Sequence, residues 1–180
     1  MELTYGRYLK VEELLQLQQP LSEGPEHDEM LFIIIHQVYE LWFKQILHEL
    51  EKLKSSFQEG ERGKALHTLK RIRSILKVLV SQVDVLETMT PLEFLSFRER
   101  LQSASGFQSS QFRELEFTLG LKNPKHLEHY PQGSEERNRL EKKMEEPSLW
   151  EVFLQFLSSL GHDSPKLKKG GRSSEPPDSS

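Results

Sequence analysis

The sequence predicts an all-α protein, and three observations support this. Residues 27–58 contain neither glycine nor proline and carry apolar side chains at helical spacing. Two stretches, Thr90–Glu93 and Ser148–Glu151, have the capping-box pattern that begins helices. No stretch alternates apolar and polar residues over the length of a strand. We therefore expect a helical fold built around one long buried helix over about residues 27–58.

Composition limits the classes of partner. The chain has 180 residues, enough for one domain with a core, and its net charge of −4 gives no electrostatic reason to expect nucleic acid or a membrane surface. It has no cysteine, which excludes disulfides, thiolate metal ligands and a cysteine nucleophile. The N-terminal residues are polar, and the longest apolar run, Leu31–Ile35, is far too short to span a bilayer. The expectation is a cytoplasmic protein.

The N-terminal part leads into the long helix. Residues 3–19 predict a short amphipathic helix from about Val11, after a looser entry at 5–8, and residues 20–25 predict a linker. The early turns of the long helix are apolar on every side, which predicts burial all round. Phe32, His36 and Phe43, with Glu40 or Tyr39, fall on one stripe of this helix.

Two further helices follow in the middle of the chain. Residues 64–89 predict an amphipathic helix with a solvated basic face and with apolar residues at Leu66, Leu69, Ile72, Leu76, Leu79, Val83 and Leu86. The basic side chains of that face are Lys70, Arg71, Arg73 and Lys77. The next helix begins after Thr90 and carries Phe94, Phe97 and Arg98. A loop of small residues at 103–110 separates it from a helix over 111–119, which Gly120 ends.

The C-terminal part predicts two more helices and a tail. Residues 123–133 predict a loop, residues 134–146 a charged helix, and residues 148 to about 161 an apolar helix. We expect residues 1–162 to form one helical domain. Residues 163–180 contain one large apolar side chain and are expected to be a disordered tail.

The candidate site residues have ordinary explanations when taken singly. A lone histidine such as His36 on an apolar helix face is more often a core residue than a functional one. Phe94 and Arg98 share a helix face, where the phenylalanine could pack in a core and the arginine could form an ion pair or hold a ligand carboxylate. Ser105 and Gly106 could approach a ligand closely, but an ordinary turn is favoured.

The sequence also contains a set of longer motifs. Residues 27–50 read HDEMLFIIIHQVYELWFKQILHEL, which resembles the signature segment of the tryptophan 2,3-dioxygenase family. Four further stretches are similar to motifs of that family, in order and with compatible spacing: Leu3–Leu9, Glu87–Phe94 with Phe97 and Arg98, Ala104–Ser109, and Pro147–Trp150. Several motifs in register are far more specific than one short pattern.

The resemblance implies an oxidoreductase that uses haem b iron and O2 to open the indole ring of L-tryptophan. The product would be N-formylkynurenine, in the first step of tryptophan catabolism by the kynurenine pathway, and the assembly would be a homotetramer. The resemblance assigns the substrate pocket to Phe32, Ile33, Ile34, Ile35, His36, Phe94 and Arg98. His36 would be the catalytic partner of the indole N–H, and Arg98 would pair with the substrate carboxylate.

The same resemblance places other residues around that pocket. Ser105 and Gly106 would lie against the haem, while Tyr5, Tyr8 and Leu9 would enter the pocket of a neighbouring subunit. The family's histidine that ligates the haem iron has no match in this sequence, so no metal ligand is predicted. The other histidines are expected to be ordinary surface or core residues: His27, His48, His67, His126, His129 and His162.

Two hypotheses therefore remain open from the sequence. The first is a haem-dependent dioxygenase acting on L-tryptophan. The second is a shortened, catalytically inactive helical module of the same family that binds no haem and acts by subunit interaction.

Overall fold

The computed structural model describes residues 2–162 except Pro25, Ser103 and Ser105, and it leaves the side chain of Phe107 undescribed. The predicted tail at 163–180 lies outside the described residues. All regular elements within the described ranges are helical, which confirms the all-α prediction. None of these described helices is long and apolar enough to cross a membrane. The α-helices are α1 (Tyr5–Leu9), α2 (Val11–Leu14), α3 (Asp28–Gln58), α4 (Arg62–Leu86), α5 (Pro91–Arg98), α6 (Ser110–Leu119), α7 (Glu135–Glu145) and α8 (Leu149–Ser159).

Two helix starts are set by the capping boxes that the sequence predicts. At α5 the Thr90 hydroxyl accepts a hydrogen bond from the backbone N–H of Glu93, whose carboxyl accepts one from the backbone N–H of Thr90. Ser148 and Glu151 form the same reciprocal pair at the start of α8. These bonds satisfy backbone donors that a helix leaves open at its N-terminus, so both helices begin where the sequence predicts.

The prediction that the early turns of α3 are buried all round is wrong. Among the described residues Met30 is 38% exposed and Ile34 43% exposed, whereas Ile35 is only 5% exposed. Glu29, which comes before all three in the helix, is 1% exposed. An apolar composition allows a helix to be buried on every side, but the elements that pack against it decide which sides are buried.

The apolar stripe predicted for α4 is only partly correct. Ile72 and Leu79 are buried as expected, and the buried face continues through Ala65, Thr68 and Ile75. The four residues that remain 40–56% exposed are Leu66, Leu69, Leu76 and Val83. Two stripes with the same alternation of three and four residues lie side by side on this helix, and spacing alone does not select between them.

Three local details differ from the sequence prediction. The N-terminal stretch forms two short helices, because the Thr4 side chain caps α1 and Lys10 adopts a left-handed conformation (φ 51°) before α2. The predicted loop at 123–133 contains a 3-10 turn, Pro124–His129, whose start is capped by Asn123. Arg71, predicted on a solvated basic face, donates to both carboxylate oxygens of the buried Glu49.

The described helices divide into two compact units. Of the described residues, those within 2–42 and 75–108 form the first unit, and those within 43–74 and 109–162 form the second. In the first unit the Tyr39 hydroxyl donates to the Leu79 carbonyl at 2.7 Å. The buried carboxylate of Glu29 accepts hydrogen bonds from the backbone N–H groups of Leu21 and Ser22, at 2.7 and 2.9 Å. These bonds fix the linker against the start of α3.

The second unit has a close-packed core and a network of ion pairs. Phe117, Tyr130 and Leu140 form one buried cluster, and Phe57 contacts the rings of Phe153 and Phe156 at 5.4 and 5.1 Å. Its ion pairs join residues that are distant in sequence: Arg71 with Glu49, Arg139 with Glu114, and Lys143 with Glu51. Packing and ion pairing therefore both hold this unit together.

Candidate functional site

A cluster of phenyl rings lies in the first unit. The ring centroid of Phe32 is 5.8 Å from that of Phe94 and 5.6 Å from that of Phe97. Phe94 and Phe97 meet edge to face at 5.5 Å, with an interplanar angle of 86°. Offset and edge-to-face contacts of this kind are favourable for aromatic pairs. Phe97 is fully buried, while Phe32 and Phe94 are half-buried and present apolar ring surface.

His36 lies beside this cluster, with its ring centroid 4.1 Å from that of Phe32. Its Nδ1 is 2.7 Å from the backbone carbonyl oxygen of Phe32. Because a carbonyl only accepts hydrogen bonds, Nδ1 must carry the proton in this contact. In the neutral imidazole Nε2 is then left as an acceptor, and it makes no hydrogen bond to any described residue. The backbone of α3 thus sets which nitrogen is available to a ligand.

Gly106 faces the open nitrogen of His36. A Cβ built on this glycine would lie 3.8 Å from His36 Nε2 and 3.9 Å from Cδ2, which is ordinary contact distance. Any side chain longer than a methyl group would extend into the space next to that nitrogen, so glycine keeps it clear. The other predicted loop residue, Ser105, lies outside the described residues.

Arg98 ends α5 and shares a helix face with Phe94, four residues earlier. Its side chain is half-buried, and Nη1 donates to the backbone carbonyl of Gln102 at 3.1 Å. Within the part of the chain that the structure describes, Arg98 has no carboxylate partner. The neighbouring Arg100, by contrast, lies 3.9 Å from a carboxylate oxygen of Glu26. No other described residue accepts a hydrogen bond from the Arg98 guanidinium, whose remaining N–H groups could meet an anion.

The other predicted site residues differ in exposure. Ile35 is buried, Ile33 is half-buried and Ile34 is 43% exposed, so the structure does not bring this triplet to one common surface. This follows from the rotation of about 100° per residue along a helix. Three residues that the resemblance assigns to a neighbouring pocket lie exposed on α1: Tyr5, Tyr8 and Leu9.

Two residues near the cluster were not among the predicted site residues. Phe97 completes the ring cluster, and its spacing of three from Phe94 was a usable sequence signal. Glu29 resembles an ordinary first-turn acid in the sequence, and nothing local marks it as the anchor of Leu21 and Ser22. Burial raises the pKa of the Glu29 carboxyl, but hydrogen bonds from Ser22 and Leu21, with the charge of Arg100, outweigh it and leave the pKa lowered.

These features define a class: an all-helical protein in which an aromatic cluster surrounds one imidazole whose acceptor nitrogen is kept clear. The sequence model of the tryptophan 2,3-dioxygenase family matches residues 1–172. The chain therefore belongs to the tryptophan 2,3-dioxygenase family.

Curated relatives agree with the family match. A tryptophan 2,3-dioxygenase of Herpetosiphon aurantiacus is 56% identical over 168 residues, covering 93% of this chain and 64% of the relative. One from Anaeromyxobacter sp. (strain K) is 53% identical over 165 residues, covering 92% of this chain and 62% of the relative. One from Xanthomonas oryzae pv. oryzae is 47% identical over 164 residues, covering 91% and 55%. The chain spans about three-fifths of the length of the first two relatives.

The described residues around His36 suit one face of a flat apolar cofactor such as haem. Gly106 has no side chain to obstruct a planar group beside the imidazole, and the half-buried ring of Phe32 contacts that imidazole. No group of three or more histidine, aspartate or glutamate side chains within the described ranges lies close enough to hold a metal ion. Haem needs only one axial donor from the protein, so its requirement is different from that of a free ion.

Proposed function

We propose that this chain orients the substrate in a haem-dependent tryptophan 2,3-dioxygenase, which opens the indole ring of L-tryptophan with O2 to give N-formylkynurenine. The observation that carries the proposal is the acceptor nitrogen of His36, which has no hydrogen-bond partner among the described residues. Its ring contacts Phe32, which in turn contacts Phe94. An indole ring offers the matching pair of groups, a flat apolar surface and one N–H donor.

The ring cluster supplies the apolar part of this recognition. In the proposed complex the half-buried faces of Phe32 and Phe94 pack against the indole, and His36 Nε2 accepts the hydrogen bond from the indole N–H. The bond from His36 Nδ1–H to the Phe32 carbonyl holds the imidazole orientation before substrate arrives. A preset geometry of this kind lowers the entropy cost of reaching the reactive arrangement.

Arg98 supplies the charged part. Its guanidinium has no carboxylate partner among the described residues and retains N–H donors beyond the one held by the Gln102 carbonyl. In the proposed complex it pairs with the carboxylate of L-tryptophan, in a fork of two charge-assisted hydrogen bonds. Because indole has no carboxylate, a cation one helical turn from Phe94 would allow the site to discriminate between L-tryptophan and indole.

Haem b would supply the redox chemistry with O2 that none of these side chains provides. In the proposal Ser105 and Gly106 would lie against the haem, and the absence of a side chain at Gly106 would leave room beside His36. The family's axial histidine has no match among the motifs of this chain, so the proposal assigns no iron ligand to it.

The proposed assembly is a homotetramer in which α1 of one copy covers the pocket of another. Tyr5 and Tyr8 are 79% and 72% exposed, and Leu9 is 45% exposed, so these side chains have apolar surface to bury on a neighbour.

The test is the visible spectrum of the full chain produced with added haem, recorded before and after addition of L-tryptophan. The proposal expects a Soret band that shifts with L-tryptophan. His36→Ala should keep the band and lose most of the shift, while His48→Ala, an exposed histidine of the same helix, should keep both. Loss of haem in His36→Ala alone would contradict a role in orienting substrate, since it would make His36 a haem anchor.

A second function, a helical module that binds no haem and acts by subunit interaction, is favoured by one observation. Leu92 and Leu95 on α5 are 80% and 60% exposed, and apolar surface of this kind commonly serves association. A colourless protein that forms a stable oligomer, and whose spectrum L-tryptophan leaves unchanged, would favour this function over the dioxygenase.

A further inference from the structure

Gln102 has an unusual backbone conformation. It follows the 3-10 turn Glu99–Leu101, which continues from α5, and its φ of 50° and ψ of −120° lie outside the common left-handed helical region. Lys10, the other described non-glycine residue with a positive φ, has a ψ of 48° and lies within that region. A non-glycine residue with the angles of Gln102 is strained, and it keeps them only where its surroundings hold it there.

Two backbone hydrogen bonds hold this segment. The N–H of Gln102 donates to the Glu99 carbonyl at 3.2 Å, and the N–H of Ala104 donates to the Leu101 carbonyl at 2.8 Å. The angles of Gln102 are those of the first central residue of a type II′ turn, where glycine is strongly favoured. The bond from Ala104 does not require this geometry, because the commoner type I turn makes the same bond and accepts most side chains. Turn closure alone therefore does not explain the strain.

The strained backbone aims the Gln102 carbonyl at Arg98. Nη1 of Arg98 donates to this carbonyl at 3.1 Å, and no other described residue accepts a hydrogen bond from the guanidinium. Turns of types I and II′ differ in the direction of their central carbonyl, so relaxation to type I would turn it away from its present direction. An arginine without a partner has many rotamers, and fixing one of them costs entropy. The positive φ of Gln102 and the fixed orientation of Arg98 therefore depend on each other.

We propose that Gln102 is a positioning residue for the substrate carboxylate, because its positive φ holds the Arg98 guanidinium ready for that group. The inference rests on the proposed function, in which Arg98 pairs with the carboxylate of L-tryptophan. Gln102 acts through its main-chain carbonyl, and its exposed amide side chain plays no part. The position therefore depends on which φ the residue can adopt and not on the chemistry of its side chain.

The test compares the dissociation constants of L-tryptophan and of tryptamine, which lacks the carboxylate, by isothermal titration calorimetry on the full chain produced with added haem. Wild type should prefer L-tryptophan. Gln102→Val should reduce that preference by about threefold to tenfold, because a β-branched side chain disfavours the positive φ and binding must then immobilise a free arginine. The affinity for tryptamine should stay unchanged, whereas a merely structural loss would weaken the binding of both ligands.

Two matched variants separate the backbone from the side chain. Gln102→Ala removes the amide and keeps an L-residue at this φ, while Gln102→Gly also removes the strain, and both should retain the wild-type preference. Gln102→Gly should have a higher Tm than Gln102→Ala, because glycine adopts this φ without strain. In an Arg98→Ala background Gln102→Val should change the preference no further, since the two residues act as one unit.

Three results would overturn the inference about Gln102 and leave the pairing of Arg98 with substrate intact. They are an unchanged preference in Gln102→Val, an equal loss in Gln102→Ala, and a lower Tm in Gln102→Gly than in Gln102→Ala. A wild type that binds L-tryptophan no better than tryptamine would instead overturn that pairing, and the inference with it. The Tm comparison needs no ligand, so it tests the strain whether or not Gln102→Val folds.

Discussion

The ion-paired side chains of the second unit contrast with the open polar groups beside the ring cluster of the first. In the second unit the buried carboxylate of Glu49 meets Arg71, and Glu114 meets Arg139. In the first unit the Arg98 guanidinium has no carboxylate partner among the described residues, and the acceptor nitrogen of His36 has no donor. Satisfied groups contribute stability, whereas groups left open in a folded protein are available for a ligand.

The apolar side chains do not follow this division. Phe97 of the first unit and Phe117 of the second are fully buried, whereas Leu92 of the first unit and Leu66 of the second are more than half exposed. The comparison teaches that the open polar groups around the ring cluster, and not a difference in apolar packing, distinguish the first unit from the second.

The largest expected effect on stability is the difference between losing a fully buried ring of the second unit and losing a half-buried ring of the first. Phe117→Ala removes a fully buried ring and should lower the free energy of unfolding by about 3–5 kcal/mol. Phe94→Ala removes a half-buried ring of the first unit and should cost about 1–2 kcal/mol. Urea denaturation followed by circular dichroism measures both. Equal losses would make Phe94 a core residue and would break the comparison.

The next effect concerns the guanidinium of Arg98. If Arg98 pairs with the substrate carboxylate, Arg98→Ala should raise the KM for L-tryptophan by an amount equivalent to about 2–5 kcal/mol. Steady-state kinetics of the haem-loaded protein provide the measurement. Arg100→Ala, two residues along and already beside Glu26, should leave KM unchanged. An unchanged KM in Arg98→Ala would remove that residue from the substrate site.

A satisfied pair of the second unit gives a smaller effect. Arg71→Ala would leave the buried Glu49 carboxylate with only the Gln45 amide, and we expect a loss of about 1–3 kcal/mol of stability. Arg73→Ala on the same helix, at an exposed position with no ion pair to any described residue, should change stability by less than about 0.5 kcal/mol. Urea denaturation at low and high salt would test both. If the two variants behave alike, the Arg71 pair adds nothing to this unit.

The smallest expected effect is the loss of stability at low pH that arises at the start of α8. The backbone N–H of Ser148, helped by its hydroxyl, lowers the pKa of the Glu151 carboxyl below its ordinary value of 4.5. The folded pKa is the lower one, so this stability is fully present above the unfolded pKa and is lost as pH falls through the folded pKa.

Glu151→Gln should therefore cost about 1 kcal/mol near neutral pH and flatten the loss of stability in acid. Thermal unfolding at several pH values measures this. Glu145→Gln, at an exposed position of α7, serves as the control and should follow the wild-type curve. A Glu151→Gln curve that stays parallel to wild type in acid would show that this carboxyl does not carry the acid dependence.

Sequence alone determined the helical class, the bounds of α3 and the starts of α5 and α8. The physical reason is that caps and helix turns are interactions between residues three or four apart, such as Thr90 with Glu93. Sequence also determined the family, because five motifs in register fix it without any contact being known.

Tertiary structure alone decided which apolar stripe of α4 is buried and which sides of α3 are covered. It also decided that the rings of Phe32 and Phe94 meet and that Lys54 is buried beside Glu146. These contacts join residues 60 to 90 positions apart, and their energy depends on the surface that each element presents to the others. Local sequence offers several such surfaces of equal quality, and packing against the neighbouring elements selects among them.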